Sequence, residues 1–268
     1  MPVSGSQDEP AAPVTRLFAE PRPQLLPHLV RPHEAFLFAG GPRRSWIEPA
    51  QLPVTLIIDL DERLTAGGRR LPPAWVAGPT DRPEEVELGG RHTTVDVKLT
   101  PLGSMRLLAI PPREIAGRVV GLEELLGEAG RRLTEAVADA GDWPTRFSLV
   151  DEFLADRSRG GRIPSPVAEE AWRRLCRAGG NLPIRELAEG LQISRRHLSS
   201  LFTEQVGLPP KTVARLLRFR RAHRQMQSSP RAWAEVAFDC GYFDQAHLNR
   251  DFRQFAGTTP TGFLARQL

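Results

Sequence analysis

The chain has 268 residues, of which 40% are hydrophobic and 25% charged, and its formal net charge is +4 at pH 7. This length suits two ordinary domains, and the composition is that of a soluble globular protein. The two cysteines, Cys176 and Cys240, have no partner motif, which argues against a disulfide framework or a structural zinc site. The first twenty residues contain no apolar run able to act as a signal peptide or membrane span, so we expect a cytoplasmic protein.

The charge is unevenly distributed along the chain. Residues 1–164 contain 20 Lys+Arg and 23 Asp+Glu, a balance of −3, whereas residues 165–268 contain 16 and 9, a balance of +7. A basic part beside an acidic one suggests that the C-terminal part meets a polyanion. A basic surface that faces only water is the alternative that charge alone leaves open.

The front half has the pattern of β-structure after a flexible tail, which we expect over residues 1–15. From Phe36 onward the apolar runs are short and separated by Gly and Pro. The predicted strands are Phe36–Ala39, Val54–Leu60, Ala74–Ala77, His92–Thr100 and Met105–Ile110. Apolar and polar residues alternate within Thr93–Leu99, which indicates a strand with one face in and one face out. These features predict a small antiparallel barrel or sandwich.

The hydrophobic period changes to that of helices at Pro111–Pro112. One helical face is predicted by the spacing of Ile115, Val119, Leu122 and Leu126, and Gly127 is expected to end this helix. Two more amphipathic stretches follow, marked by Ala129, Leu133 and Val137, and by Phe147, Val150 and Leu154. We expect these helices to cover the open end of the barrel, with pairing to a second subunit as the alternative. Residues 158–166 are rich in Arg, Ser, Gly and Pro and are predicted to be a linker.

The last part of the chain contains an internal repeat of helical pattern. Four residues recur at a shift of 50: Leu198, Phe202, Gly207 and Pro210 return as Leu248, Phe252, Gly257 and Pro260. Two residues upstream recur at a shift of 49, with Ala188 and Gln192 matching Ala237 and Gly241, so the second copy has one more residue in its turn. Each copy has the pattern of a helix-turn-helix unit, in which a small residue lets two helices cross closely.

The outer face of the second helix in each unit is polar, behind the predicted caps Ser194 and Asp244. It holds Arg195, Arg196, Ser199 and Ser200 in the first unit, and Gln245, Ala246, His247, Asn249 and Arg250 in the second. Arg, Gln and Asn are side chains that bind base edges in the major groove. A helix predicted over Pro210–Gln227 joins the units and carries Arg215, Arg218, Arg220, Arg221 and Arg224. The pattern predicts DNA binding, and an ordinary polar surface on two helix pairs is the alternative.

This region resembles the DNA-binding domain of AraC/XylS-type bacterial transcription regulators. The resemblance lies in "IRELAEGLQISRRHLSSLFTEQVGLPP", "RFRRA" and "AEVAFDCGYFDQAHLNRDFRQFAGTTP", and it covers about 100 residues from Val167 to Leu268. Gln192 stands where a glycine is usual, and Trp233 where the family tends to have a small aliphatic residue. The resemblance implies that two recognition helices enter successive major-groove segments on one face of DNA. It implies contacts to bases or backbone from Arg195, Arg196, Ser199, Ser200, Gln245, His247, Asn249 and Arg250, and phosphate binding near Lys211, Thr212 and Thr259–Thr261.

The front half resembles the front domain that precedes this module in some family members. The resemblance lies in "VDVKLTPLGSMRLLAIPPREIAGRVVGLEELLG" and implies a cupin-like sensor and dimerisation domain over roughly residues 16–157. The predicted fold class is therefore α+β, with a β-rich, barrel-like (cupin-like) domain with short helices followed by an all-α domain with two helix-turn-helix units. The predicted division is a tail over 1–15, a sensor or dimerisation domain over 16–157, a linker over 158–166 and an AraC-type DNA-binding domain over 167–268.

The front half has few residues suited to chemistry. Its three histidines, His28, His33 and His92, form no paired motif, so we expect no metal site, no cofactor and no catalytic residue. Three aromatic residues, Phe38, Trp46 and Trp75, either line a ligand pocket or belong to the core, and core is the commoner role.

The leading interpretation is a sequence-specific transcription regulator whose front domain binds an effector. The alternatives are a ligand-independent DNA-binding protein whose barrel serves for dimerisation, and a DNA-modifying repair enzyme that carries the same module. The enzyme would need a zinc-binding cysteine cluster with a nucleophilic cysteine, which two isolated cysteines cannot supply, so we expect no enzyme. The expected partners are double-stranded DNA and an effector of unknown chemistry, with RNA polymerase and a second copy of the chain as further candidates and no membrane.

Overall fold

The computed structural model describes residues 14–41, 44–62, 64–228 and 233–265. A β-rich region with two antiparallel sheets comes first and a helical region follows, which confirms the predicted fold class. Val14 and Thr15 begin the first strand, whereas the rest of the predicted tail lies outside the described residues. No helix in the described part of the chain is long and apolar enough to cross a membrane.

The strands fall into two sheets. In chain order they are β1 Val14–Ala19, β2 His33–Phe38, β3 Arg44–Glu48, β4 Val54–Asp59, β5 Leu64–Ala66, β6 Arg69–Arg70, β7 Ala74–Ala77, β8 Glu84–Leu88, β9 His92–Leu99 and β10 Val119–Gly121. The larger sheet has the order β1-β2-β9-β4-β7-β10 and the smaller one β3-β8-β5-β6. All the strand pairs are antiparallel.

The helices are α1 Pro101–Leu107, α2 Pro112–Ile115, α3 Leu122–Leu126, α4 Glu128–Asp139, α5 Trp143–Ser158, α6 Pro166–Arg177, α7 Ile184–Gly190, α8 Arg195–Gln205, α9 Pro210–Ser228, α10 Trp233–Asp239, α11 Gln245–Ala256 and α12 Pro260–Ala265. The helices predicted around Leu133 and Val150 are confirmed as α4 and α5. The linking helix predicted over Pro210–Gln227 is confirmed as α9.

Two sequence predictions in the middle of the chain are wrong. Met105–Ile110 is not a strand, because α1 begins at Pro101 and includes Met105. The side chain of Thr100 caps this helix by accepting a hydrogen bond from the Gly103 N–H at 2.9 Å, and a proline suits its first turn.

The second wrong prediction is a single helix from Ile115 to Leu126. Gly117 adopts a left-handed conformation with φ of +64°, which a helix cannot contain, and Val119–Gly121 then pairs with β7 as a strand. The predicted end of helix α3 at Gly127 is confirmed.

Helices cover one face of the larger sheet, which carries Val54, Leu56, Val95 and Val97. These residues share a core with Leu107, Ile115, Leu122, Leu133, Val137, Phe147, Val150 and Leu154. The helices thus cover a sheet face rather than the open end of a barrel. The opposite face of the same sheet looks toward the smaller sheet, and a cavity of about 490 Å³ lies between the two.

A second core fills the helical region and extends into the front region. Leu198, Phe202, Phe219, Leu248 and Phe252 are fully buried in it. Four residues from earlier in the chain belong to the same core: Ala50, Leu52, Leu102 and Met105. The helical region is therefore packed directly against the β-rich region.

A buried histidine ties the β-rich region to helix α5. His33 lies in β2, and its Nε2 is 3.2 Å from Oδ1 of Asp151 in α5. Burial lowers the pKa of His33, although Asp151 acts in the opposite direction. Burial and Arg106 also lower the pKa of His28.

We predict that acid weakens the fold through these histidines. Their pKa is lower in the folded than in the unfolded state, so stability is fully present above the unfolded value of about 6.5 and is lost as the pH falls below it. The free energy of unfolding should decrease from pH 7.5 to 5.5 by at most about 1.4 kcal/mol per pH unit for each histidine. Denaturant titrations should show a shallower decrease for His33→Gln, and parallel curves would contradict the prediction.

Candidate nucleic-acid interface

Two helix pairs in the helical region share one turn geometry. In the first pair, α7 and α8, the Ile193 N–H donates to the Ala188 carbonyl at 3.1 Å. In the second pair, α10 and α11, the Tyr242 N–H donates to the Ala237 carbonyl at 2.9 Å. The structure therefore confirms that the repeat found in the sequence is a repeat of helix-turn-helix units.

Both turns use a residue in the left-handed conformation. Gln192 has a φ of +56° and its counterpart Gly241 a φ of +78°. Glycine adopts this conformation without strain, whereas a residue with a Cβ does so at a cost of about 1–2 kcal/mol. The unusual Gln192 therefore strains the first turn without changing its shape. Trp233 packs against the helical core as a half-buried residue.

The two predicted caps are confirmed. The Ser194 side chain accepts a hydrogen bond from the His197 N–H at 3.1 Å, and Asp244 Oδ1 accepts one from the His247 N–H at 2.6 Å. Each cap satisfies one of the free N–H groups at the start of α8 or α11. Caps fix where each helix begins and hence which residues occupy its first turn.

The predicted contact residues lie on the exposed sides of the two helices. Arg195, Arg196 and Ser200 are exposed on α8, and Gln245 and Arg250 on α11. Half-buried positions are occupied by Ser199, His247 and Asn249. The His247 ring makes an edge contact with the Tyr242 ring, with 5.1 Å between centroids. His247 thus supports the second turn as well as facing outward.

The predicted phosphate contacts lie in the first turns of helices that follow the recognition helices. Lys211 is exposed and Thr212 half-buried at the start of α9. Thr259 Oγ1 accepts a hydrogen bond from the Gly262 N–H at 3.2 Å at the start of α12. The N-terminus of a helix attracts phosphate through its free N–H groups, and α9 adds the charge of Lys211.

Two arginines of α9 are bound inside the protein. Arg215 Nη2 donates to Asp251 Oδ1 and to Gln254 Oε1, both at 2.6 Å, and its guanidinium lies 4.9 Å from the Phe255 ring centroid. Arg218 Nη1 donates to the Gly180 carbonyl at 2.7 Å. The basic side chains of α9 therefore do not all contribute to a surface for a polyanion.

The C-terminal ends of both recognition helices contact the front region. Glu204 of α8 forms an ion pair with Arg113 of α2. Just beyond the end of α11, Gly257 lies close to Pro83, since a side chain at position 257 would touch the proline ring. The Ala50 N–H donates to the Phe255 carbonyl at 2.7 Å, near the end of α11. The first turns of α8 and α11, by contrast, carry the exposed residues.

The cavity between the sheets combines an apolar wall with charged groups. Phe38, Trp46 and Trp75 all line it, and Phe38 and Trp75 also belong to a small core cluster, so these two are core residues as well as cavity walls. The alternation within Thr93–Leu99 is present, but the prediction that its polar face lies outward is wrong, because the second sheet covers that face. Asp96 and Lys98 therefore face the cavity.

The charged groups of the cavity include one unsatisfied oxygen. Asp96 Oδ1 is buried and has no hydrogen-bond partner among the described residues. Burial raises the pKa of Asp96 and lowers the pKa of Lys98. Sequence reasoning missed both residues, because the polar face of an alternating strand is normally in water.

Among the described residues, no three His, Cys, Asp or Glu side chains are grouped to hold a metal ion. His33 and His92 are each beside one aspartate, with His92 Nδ1 3.3 Å from Asp59 Oδ1. Burial raises the pKa of the Cys176 thiol to about 11, so it stays protonated at neutral pH.

Comparison with known proteins agrees with this geometry. Residues 187–266 match a family model described as a helix-turn-helix domain. The repeated turn and this match define the C-terminal region as belonging to the helix-turn-helix class. It is a domain of the AraC type, which confirms the resemblance seen in the sequence.

Individual relatives match part of the chain. An HTH-type transcriptional regulator of Mycobacterium tuberculosis is 31% identical over 84 residues, which cover 31% of this chain and 32% of that protein. The HTH-type transcriptional regulator GlxA of Rhizobium meliloti is 36% identical over 75 residues, covering 28% and 23%. The chain thus spans less than a third of the length of these relatives. A structure of a ToxT variant from Vibrio cholerae is similar over 88% of this chain and 98% of that chain, with 9% identity and a TM-score of 0.49.

We predict that Arg215 stabilises the domain. Arg215→Met would leave the carboxylate of Asp251, whose side chain is 1% exposed, without its partner and should lower the free energy of unfolding by about 3 kcal/mol. Arg224→Met, a matched change on the exposed side of the same helix, should alter it by no more than about 0.5 kcal/mol. Urea titration of both variants measures the two effects, and equal losses would contradict the prediction.

Proposed function

We propose that the chain is a transcription regulator that binds double-stranded DNA sequence-specifically through α8 and α11. The observation that carries this proposal is the pair of capped recognition helices whose first turns expose Arg195, Arg196 and Gln245. The first turn of a recognition helix is the part that contacts base edges in helix-turn-helix proteins. The relatives that match 31% and 28% of this chain are transcriptional regulators, which supports the same function.

The two helices offer different chemistry to DNA. The exposed first turn of α8 carries two arginines, which suit guanine, and that of α11 carries Gln245, which suits adenine. One chain would therefore recognise an asymmetric site. Ser199, Ser200, Asn249 and Arg250 are assigned to further base or backbone contacts, and Lys211 and Thr212 to a phosphate. RNA polymerase is a candidate partner of the bound protein, which we expect to act in the cytoplasm.

We predict that Arg196→Ala weakens binding to the cognate site by about 1–3 kcal/mol and relaxes preference at one base position. The cognate site is first selected from random duplexes with the full chain. Fluorescence titrations on the cognate site and on random DNA then measure the loss at fixed salt, because phosphate contacts make affinity salt-dependent.

Arg132→Ala is the matched control for this experiment. Arg132 is 73% exposed on α4 of the front region, so its replacement removes the same charge from a helix outside the two helix-turn-helix units. This control should leave both affinities unchanged. An equal loss on cognate and random DNA for Arg196→Ala would assign Arg196 to the phosphate backbone instead of a base.

We further propose that an effector binds in the cavity between the two sheets. The volume suits a small molecule, the aromatic wall suits an apolar body, and the Asp96 and Lys98 side chains that line the cavity suit the polar groups of a ligand. The segment 48–52 connects this site to the recognition helices. Glu48 and Gln51 line the cavity, whereas Ala50 donates its N–H to Phe255 and Leu52 is buried in the helical core.

We predict that a cavity ligand stabilises the full chain and changes its DNA affinity. A panel of small metabolites is tested by thermal unfolding, since a ligand that binds the folded state raises its melting temperature. Asp96→Ala should reduce the shift given by such a ligand, because it removes the oxygens of a side chain that lines the cavity. An equal shift in both proteins would place the ligand elsewhere, and no shift from any compound would favour a ligand-independent protein.

The ligand-independent alternative has one observation in its favour. Strand β1 lies at the edge of the larger sheet, and its Phe18 is 60% exposed. An exposed edge strand with an apolar side chain is suited to pairing with another chain. In this second candidate function the front region serves to form a homodimer, and sedimentation of the full chain with and without Phe18→Ser distinguishes it.

A further inference from the structure

The extra residue in the second helix-turn-helix unit can be identified from the hydrogen bonds. Ile193 and Tyr242 are equivalent, because each donates its N–H to the carbonyl five residues earlier. Ser194 and Asp244 are equivalent as the caps of α8 and α11. Ser194 directly follows Ile193, whereas Phe243 separates Tyr242 from Asp244. The inserted residue is therefore Phe243.

Within the part of the chain that the structure describes, the ring of Phe243 is exposed rather than packed. An apolar residue just before a cap commonly packs against the fourth residue of the helix, which is Leu248 in α11. Leu248 is fully buried, but Phe243 is 94% exposed, so the two do not form this contact. In the first unit, by contrast, Ile193 is half-buried and packs against the helical core.

The surroundings of Phe243 favour DNA as its partner. It directly precedes the cap of α11, and the next two residues beyond the cap, Gln245 and Ala246, are exposed as well. The start of a recognition helix lies closest to the base edges, and the apolar group that the major groove offers there is the thymine methyl. A single phenyl ring covers about 150–250 Å², whereas a stable protein interface needs about 800 Å² from each partner. The ring of Phe243 is therefore too small to form a protein interface by itself.

We propose that Phe243 is a specificity-determining residue that contacts the C5-methyl group of a thymine in the part of the site bound by α11. This inference rests on the proposed function, since it requires that α11 enters the major groove. The proposal gives a role in base preference to Phe243, the residue that the second unit has and the first unit lacks. The preference adds to that of Gln245 in the same helix.

The test uses single thymine-to-uracil replacements, which remove only the methyl group. The full chain selects its site from random duplexes, and each thymine of that site is then replaced in turn. One replacement should weaken binding of the unmodified protein about fourfold, the factor expected for one buried methyl group. In Phe243→Ala the affinity for the thymine duplex should fall about fourfold or more, and the thymine-to-uracil ratio at that position should become 1.

Phe238→Ala provides the matched control. Phe238 is 82% exposed on α10, the first helix of the same unit, so the same ring is removed from a neighbouring surface. This variant should keep the fourfold ratio. If Phe243→Ala keeps the ratio at every thymine, or binds the site as tightly as the unmodified protein, the inference is overturned while the proposed function stands. If the unmodified protein selects no sequence, the proposed function itself fails.

Discussion

Phe219, in the middle of α9, is the side chain on which the arrangement of the second recognition helix depends. Its ring lies 4.8 Å from that of Phe252 and 5.6 Å from that of Phe255, measured between centroids, and all three are buried. The Arg215–Asp251 ion pair holds α9 and α11 together at the edge of this aromatic group. Because α9 begins directly after the first unit, these contacts fix how the two units are oriented relative to each other.

The front region adds a second constraint on the same helices. Ala50, Leu52, Leu102 and Met105 are buried in the helical core. The predicted linker is held as well, since the Arg162 N–H donates to the Met105 carbonyl at 2.8 Å. Buried contacts of this kind resist independent movement of the two regions. A ligand that changes the shape of the cavity would therefore act on the helical region through a buried interface rather than through a flexible linker.

The sequence predicted those features that depend on local chemistry. The caps Ser194 and Asp244 and the alternation in β9 follow from a few adjacent residues, and each is present. The run Met105–Ile110 was misassigned because a short apolar segment suits a strand or a buried helix equally, and the Thr100 cap decides between them. The cavity could not be predicted, because only the position of the smaller sheet shows that Asp96 is enclosed. The internal role of Arg215 likewise depends on Asp251, which is distant in the sequence.

The hydrogen bond between the Ala50 N–H and the Phe255 carbonyl joins the cavity segment to the end of α11 through backbone atoms alone. Such a bond uses no side-chain atoms, although the residue at position 50 must retain its N–H. The cavity walls and the exposed turns of the recognition helices can therefore change independently over evolution without altering this connection.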